Sequence, residues 1–455
     1  MLDLVLLFGF AVAVLALALA WLRWKQTRVI TPTAGFLVCS IFFVQIGFIY
    51  FYYEYDGVES ARTALLNTSV GVLSVAVSIM LGLSWIERRS KVYRISHLPA
   101  GYPLSVYIAV ACVLIALTLV YFLLIGYVPL IAAFYSLLTE GWSQGLLNRL
   151  RVSRDIYVNP QANYVPLQGF FEIIRYVGMV IIFMWAIHLR RIGFNRFLSG
   201  MLLASAFLLP VFAGQRWPLL HLLMSALIFL SYTLKTRQFL RILRVLTIIG
   251  FALGVLLTVL LARYTSPSGK TSEIFLLGVV TLMERLVAGN AVAPVLSFGL
   301  FPSRHPFLYG ESYLQNLYSY LPGPAPSFPV TFYQIVTGDS IGFTAPPDFY
   351  TEAYINFGFL GTCIISFIFG IFLVFLEVVL YQYRNNLFQL SVVCSFTLYI
   401  SLSSSTGITF VLGWLITVLF VYLLFVALKI LLYAKPYAHK RVLPHRTEHP
   451  ALIIE

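Results

Sequence analysis

The 455-residue chain has little charge. Asp, Glu, Lys and Arg make up 10% of it, against 60% hydrophobic residues. Soluble domains carry about 25% charged residues, so most of this chain is not built to face water. Cysteine is scarce as well. Cys39, Cys112, Cys363 and Cys394 all lie in apolar runs without CxxC spacing, which argues against disulfides or metal ligands and leaves them as small core residues. There is no GxxxxGK[ST] phosphate loop, no GxGxxG after a strand, no HExxH and no DxD pair. Nucleotide, dinucleotide and metal-dependent sugar-nucleotide chemistry thereby lose their usual sequence marks, and no metal or cofactor is expected. A repeat of 20–50 residues and an inverted repeat are also lacking, so a transporter gains no support from them.

What is present is length without charge. Apolar stretches of about 20 residues, each long enough to cross hydrocarbon, recur along the chain, and the mean hydropathy is +0.90. The expected fold is an all-α polytopic integral membrane protein, a single membrane domain over 1–455. About eleven spans are expected, near 3–22, 33–52, 64–86, 104–125, 169–188, 198–213, 217–234, 243–263, 355–380, 387–402 and 409–432. The opening MLDLVLLFGF has neither a basic leader nor a small-residue cleavage site, so it reads as a first span, not a signal peptide. The stretch 126–139 is apolar but short, and reads as re-entrant or interfacial.

The net charge of +13 is sorted among the loops. WLRWKQTR, ERRSKVYR, HLRRIGFNR, KTRQFLRILR, YQYRNN and the basic tail hold about 20 of the 30 Lys and Arg; the other loops are longer and hold about 10. The positive-inside rule places the basic set in the cytoplasm. The N-terminus then lies outside and the C-terminus inside. Charge sorted in this way speaks of membrane orientation, and no nucleic-acid partner is expected.

The longest outer loop, 264–354, is rich in Tyr, Pro and Gly, and loops of that length are usually functional. Outer basic residues are mainly arginine: Arg149, Arg151, Arg154, Arg175, Arg216, Arg263, Arg285 and Arg304, against Lys270. The guanidinium fork matches two phosphate oxygens at once, so Arg151, Arg216, Arg263, Arg285 and Arg304 are candidate anion ligands. The competing role is pairing with loop carboxylates or lipid headgroups. Arg216 lies in AGQRWP, a tight turn between spans, where a charge is costly unless paired or facing a polar cavity. His221 reads as a hydrogen-bonded core residue.

Among outer carboxylates, Glu352 opens the span after the long loop, at the expected membrane surface. It reads either as a general base or as a first-turn helix charge. Asp339 in VTGDSIG and Asp348 in APPDFY are further candidates, though both sit in ordinary turn contexts. Segment 273–300 reads as an interfacial or re-entrant helix pair that turns Arg285 toward the site. Tyr309, Tyr313, Tyr350 and Tyr354 offer aromatic faces and hydroxyls for sugar rings, or simply pack.

Three segments in order, HPFLYGESYLQNLYSYLPGPAP (305–326), GDSIGFTAPP (338–347) and FYTEAYINFGFLG (349–361), together with AGQRWPLL (213–220), resemble bacterial oligosaccharide repeat-unit polymerases of the O-antigen (Wzy) type. The resemblance covers the second half of the chain. It implies a GT-C-like membrane glycosyltransferase of the bacterial inner membrane, similar in fold class to O-antigen ligases. Such enzymes join undecaprenyl pyrophosphate-linked glycan repeats on the periplasmic side without a metal. The implied partners are the lipid-linked oligosaccharide, membrane lipids and a chain-length regulator. The implied roles here are Arg216 and the other outer arginines on the pyrophosphate, with one outer carboxylate taking the acceptor proton. A ligase and a lipid-linked-oligosaccharide flippase remain as alternatives.

Overall fold

The computed structural model describes residues 3–54, 59–86, 102–140, 168–212, 217–265, 291–319, 328–338, 345–382 and 386–433. Regular structure among them is helical throughout. Among the described residues, eight helices are long and apolar enough to cross a membrane. They are α1 (Leu4–Thr27), α2 (Pro32–Glu54), α3 (Glu59–Ile86), α4 (Leu104–Ile125), α6, α13 (Phe349–Gln382), α14 (Leu387–Thr406) and α15 (Thr409–Tyr433). Helix α6 joins Gln168–Ile173, a π-helical turn Ile174–Gly178 and Met179–Arg191.

The other expected spans fall on α7 (Arg196–Phe212), α8 (Trp217–Thr233) and α9 (Thr236–Thr265). The first two are shorter than a comfortable crossing. The doubtful stretch after α4 forms α5 (Pro129–Glu140), a 12-residue helix too short to span. The long loop contributes α10 (Val292–Leu300), α11 (Glu311–Tyr318) and α12 (Phe328–Thr337).

Hydrogen bonds between helix ends show the up-and-down order. Asp3, capping the start of α1, accepts from Tyr52 Oη near the end of α2. Arg23, late in α1, binds Glu377, late in α13, and Thr33 at the start of α2 joins the same carboxylate. The Ile30 N–H before α2 donates to Ser231 at the end of α8. Tyr107 near the start of α4 accepts from the Phe388 N–H at the start of α14. The bundle thus has an Asp3 end and an Arg23 end. The starts of α1, α3, α6 and α13 lie at the Asp3 end, as the alternation of basic and less basic loops requires.

Helix α14 is the central post. All of its residues from Leu387 to Thr406 are buried or nearly so. Its run Ser401, Ser403, Ser404, Ser405 and Thr406 satisfies every hydroxyl on a carbonyl three or four residues back, which lets polar residues sit inside a membrane bundle. Helix α15 does the reverse and turns Leu415, Leu419, Leu423 and Leu431 outward, as a lipid-facing helix should. Helices α3 and α13 approach closely where Gly82 meets Val374 and Gly370 meets Ser78, the small-residue contact that membrane helices favour.

Candidate functional site

Two polar clusters sit at the Asp3 end. The first is organised by Glu352. Helix α13 begins on Asp348, whose carboxylate caps it by accepting the N–H groups of Tyr350 (2.9 Å) and Thr351 (3.0 Å) and the Thr351 hydroxyl. Burial pushes the Asp348 carboxyl up to about 6, against the pull of these donors. The helix then breaks at Gly358, with φ 69° and ψ −169°, a region essentially reserved for glycine. The break orphans the carbonyls of the preceding turn, and the long loop supplies partners. Leu308 N–H donates to Ile355 and Tyr309 N–H to Asn356, both at 3.0 Å, while Gly310 N–H reaches the Asn356 side chain at 2.8 Å.

Glu352 lies inside this junction. Its Oε1 accepts from Ser312 Oγ and Asn316 Nδ2, both at 3.2 Å, and its Oε2 accepts the Ile408 N–H at 3.1 Å. Asn356 Nδ2 donates to Ser312 at 2.7 Å, completing the chain of donors. Glu352 stands in the first turn of the span, as expected, but is only 1% exposed, and it ties the loop helix α11 to the α14–α15 joint. Its neighbour Gly407 has φ 67° and ψ −168°, nearly the conformation of Gly358.

The tyrosines divide. Tyr350 is fully buried and its hydroxyl pairs with Ser40 at 2.8 Å. Tyr354 stacks on Phe298 at 4.4 Å and donates to the Phe301 carbonyl. Both are core residues, which corrects their expected place on a sugar-facing surface. Tyr313 is partly buried, and burial together with the Glu352 carboxylate raises its phenol well above the ordinary value. Tyr309 is exposed, as is Arg304. Arg263 lies in α9 with its side chain outside the described part. Arg151, Arg216, Arg285 and Asp339 lie outside the described residues, so their side chains are not placed against either cluster.

The second cluster joins Arg175 and His221, one named above among the outer arginines and the other as a core histidine, to Glu172, Tyr121, Tyr176 and Tyr399, which the sequence does not mark as a group. Arg175 is 2% exposed in the π-helical turn of α6, inside a span. Its guanidinium lies over the rings of Tyr176 (4.9 Å) and Tyr121 (5.4 Å). The same Tyr121 donates its hydroxyl to Glu172 at 3.0 Å. The Tyr176 ring lies 5.8 Å from His221 of α8, which is 5.3 Å from Tyr399 of α14. Four helices therefore contribute to one packed cluster. Glu172 is partly exposed, unlike Glu352. The sequence signal was EIIRY, a carboxylate and a guanidinium three apart within an apolar run, where ionisable residues are rare.

No protein-family model, curated protein or solved structure matches this chain. Among the described residues no group of His, Cys, Asp and Glu has the arrangement of a metal site.

Proposed function

We propose that this chain is a membrane glycosyltransferase that polymerises glycan repeats carried on a lipid pyrophosphate, working at the Asp3 end of its bundle. The charge sorting of the loops makes that end the non-cytoplasmic one. The observation that carries the reading is Arg175. An arginine inside a span is expensive and as a rule serves a substrate or ion path. Here it is fixed between two tyrosine rings, beside a partly exposed carboxylate, at the end where a lipid-linked phosphate headgroup would lie. A fixed guanidinium stabilises a departing pyrophosphate without a metal. Arg216 belongs to the same proposal from sequence alone, five residues before His221. The partners of this reading are the lipid-linked oligosaccharide, surrounding lipids and a chain-length regulator, in the bacterial inner membrane.

The test is the purified protein in liposomes with lipid-linked repeat units. A ladder of lengthening lipid-linked glycans supports polymerisation. Transfer only to another acceptor would make it a ligase, and movement of the substrate across the bilayer without bond formation would make it a flippase.

A further inference from the structure

We infer that the Arg23 end of the bundle carries a binding site for an anionic phospholipid, set between the α6–α7 turn and the first turns of α9. The inference goes beyond glycosyl transfer and does not depend on it. Between Glu172 and Glu273 the chain has no Asp or Glu. Within that stretch two groups of arginines stand at one end of the bundle. Arg190, Arg191 and Arg196 surround the α6–α7 turn, and Arg237, Arg241 and Arg244 lie on α9. All six are exposed, and none of them is in an ion pair among the described residues.

Measured contacts bring the two groups together. The α6–α7 turn is short and fixed. Gly193 takes φ 74°, and the Asn195 side-chain oxygen starts α7 by accepting the N–H groups of Phe197 (3.1 Å) and Leu198 (3.2 Å). Arg191 then reaches across to the last residue of α8. Its Nη1 donates to Thr233 Oγ1 at 2.7 Å and its Nη2 to the Thr233 carbonyl at 3.4 Å. Helix α9 begins at Thr236, so its first turns start beside this contact. Phe239 is buried, with its ring 5.6 Å from that of Trp24 in α1, and this fixes the inward face of α9. Arg237, Arg241 and Arg244, spaced i, i+4 and i+7, form one stripe on the other side.

The occupant follows from what lies next to the cations. Val245 and Ile248 continue the Arg241–Arg244 face, and both are exposed. At about 1.5 Å of rise per residue, charge gives way to hydrocarbon-facing side chains within about 6 Å, as at the boundary between headgroups and acyl chains. Phe197, beside Arg196, is exposed as well, and aromatic residues favour that boundary. A soluble polyanion has no use for these apolar neighbours. A phospholipid offers its phosphate to the arginines and its chains to Val245, Ile248 and Phe197. Charge sorting for membrane orientation asks only for positive charge, which lysine also supplies. A phosphate site uses the guanidinium fork, and all six cations here are arginine.

The test is native mass spectrometry of the full chain in detergent, titrated with dioleoyl phosphatidylglycerol and, separately, with dioleoyl phosphatidylcholine. Wild type should bind the anionic lipid about tenfold more tightly than the zwitterionic one. R237Q/R241Q/R244Q should lose that preference. R237K/R241K/R244K keeps the charge but not the fork, and should still weaken the preference about threefold. K429Q removes an exposed cation late in α15, outside the patch, and should bind like wild type. Equal affinity of wild type for the two lipids overturns the inference, as does an unchanged preference in the triple glutamine variant. Full recovery in the triple lysine variant reduces the patch to bulk charge and overturns the site. Displacement of the lipid by excess inorganic phosphate assigns the arginines to a soluble anion, which also overturns it. Should the triple glutamine variant fail to fold, R196Q and R241Q, one from each group, replace it, each with about a threefold loss of preference. Wild-type preference in both then overturns the inference.

Discussion

The Glu352 carboxylate and the Ile408 N–H meet at 3.1 Å, joining the first turn of one interrupted helix to the glycine joint that follows another. Both interruptions use glycine in nearly the same backbone state, Gly358 and Gly407. A side chain at Gly407 would run into the Glu352 carboxylate and the Pro347 carbonyl. Gly407→Ala should therefore destabilise by about 1–3 kcal/mol from the backbone alone, and by more with the clash. Glu352→Gln loses a charge-assisted acceptor and should cost about 1.5–3 kcal/mol. Thermal unfolding in detergent reads both. Wild-type melting in Glu352→Gln would remove the structural role assigned to this junction.

The spans were legible because hydrocarbon demands a run of apolar residues whatever their neighbours do. Each of the eleven expected stretches falls on a helix, eight of them long and apolar enough to cross a membrane among the described residues, and the 126–139 stretch, read as re-entrant or interfacial, forms a 12-residue helix. Glu352 was legible as opening a span but not as almost fully buried. Its burial depends on a loop forty residues upstream folding back onto a helix break, and Gly358 within INFGFLG gives no local sign that the helix stops there. The tyrosines failed for a related reason. Tyr350 and Tyr354 sit one turn apart, and whether that face meets sugar or meets Ser40 and Phe298 is decided by packing alone.

The Arg23–Glu377 pair should be a strong structural fastening. Arg23 Nε and Nη2 reach Glu377 Oε1 at 2.9 and 2.5 Å, and Thr33 holds Oε2 at 2.6 Å, all buried. Removing one partner leaves a buried charge unmatched, so Glu377→Leu should cost about 3–5 kcal/mol. Arg23→Met with Glu377→Leu should recover most of it, because the isolated charge is gone. A double variant as unstable as Glu377→Leu would count against this account.

Asp348 gives a pH signature. Its carboxyl is raised from an ordinary 3.8 to about 6 by burial. The folded protein holds that proton more tightly than the unfolded chain does. The contribution is fully present below about pH 3.8 and is lost as pH rises through 6. At neutral pH the loss is on the order of 3 kcal/mol. Asp348→Asn keeps an oxygen for the cap and cannot titrate. Its stability relative to wild type should rise between pH 4 and pH 7. A constant difference across that window would mean that Asp348 stays ionised throughout.

Orientation is tested on single cysteines in a background lacking the four native ones. Ser303 after α10 and Gln238 at the start of α9 are exposed and lie on opposite sides of the bundle in the charge-sorted topology. Ser303→Cys should react with an impermeant thiol reagent in intact spheroplasts, and Gln238→Cys only after lysis. The reverse pattern would place the Asp3 end in the cytoplasm and remove the site from the side where the lipid-linked glycan is expected.

Arg175 separates substrate binding from packing. A lysine retains the positive charge and much of the attraction to the Tyr121 and Tyr176 rings, but it has no planar fork to hold two phosphate oxygens. If the fork grips the departing pyrophosphate, Arg175→Lys loses a hydrogen bond to a charged group, worth about 1.5–3 kcal/mol. That is roughly a tenfold to hundredfold fall in laddering rate, and farnesyl pyrophosphate binding should weaken with it. Melting temperature should change little, because the aromatic contacts persist. A purely structural arginine gives the opposite result, with the rate per folded molecule preserved while unfolding shifts. Tyr176→Leu is the matching control. It removes the nearer ring, 4.9 Å from the guanidinium, and should lower both melting temperature and rate. Unchanged rate and binding in Arg175→Lys would exclude a bidentate pyrophosphate contact at Arg175 and return that role to Arg216.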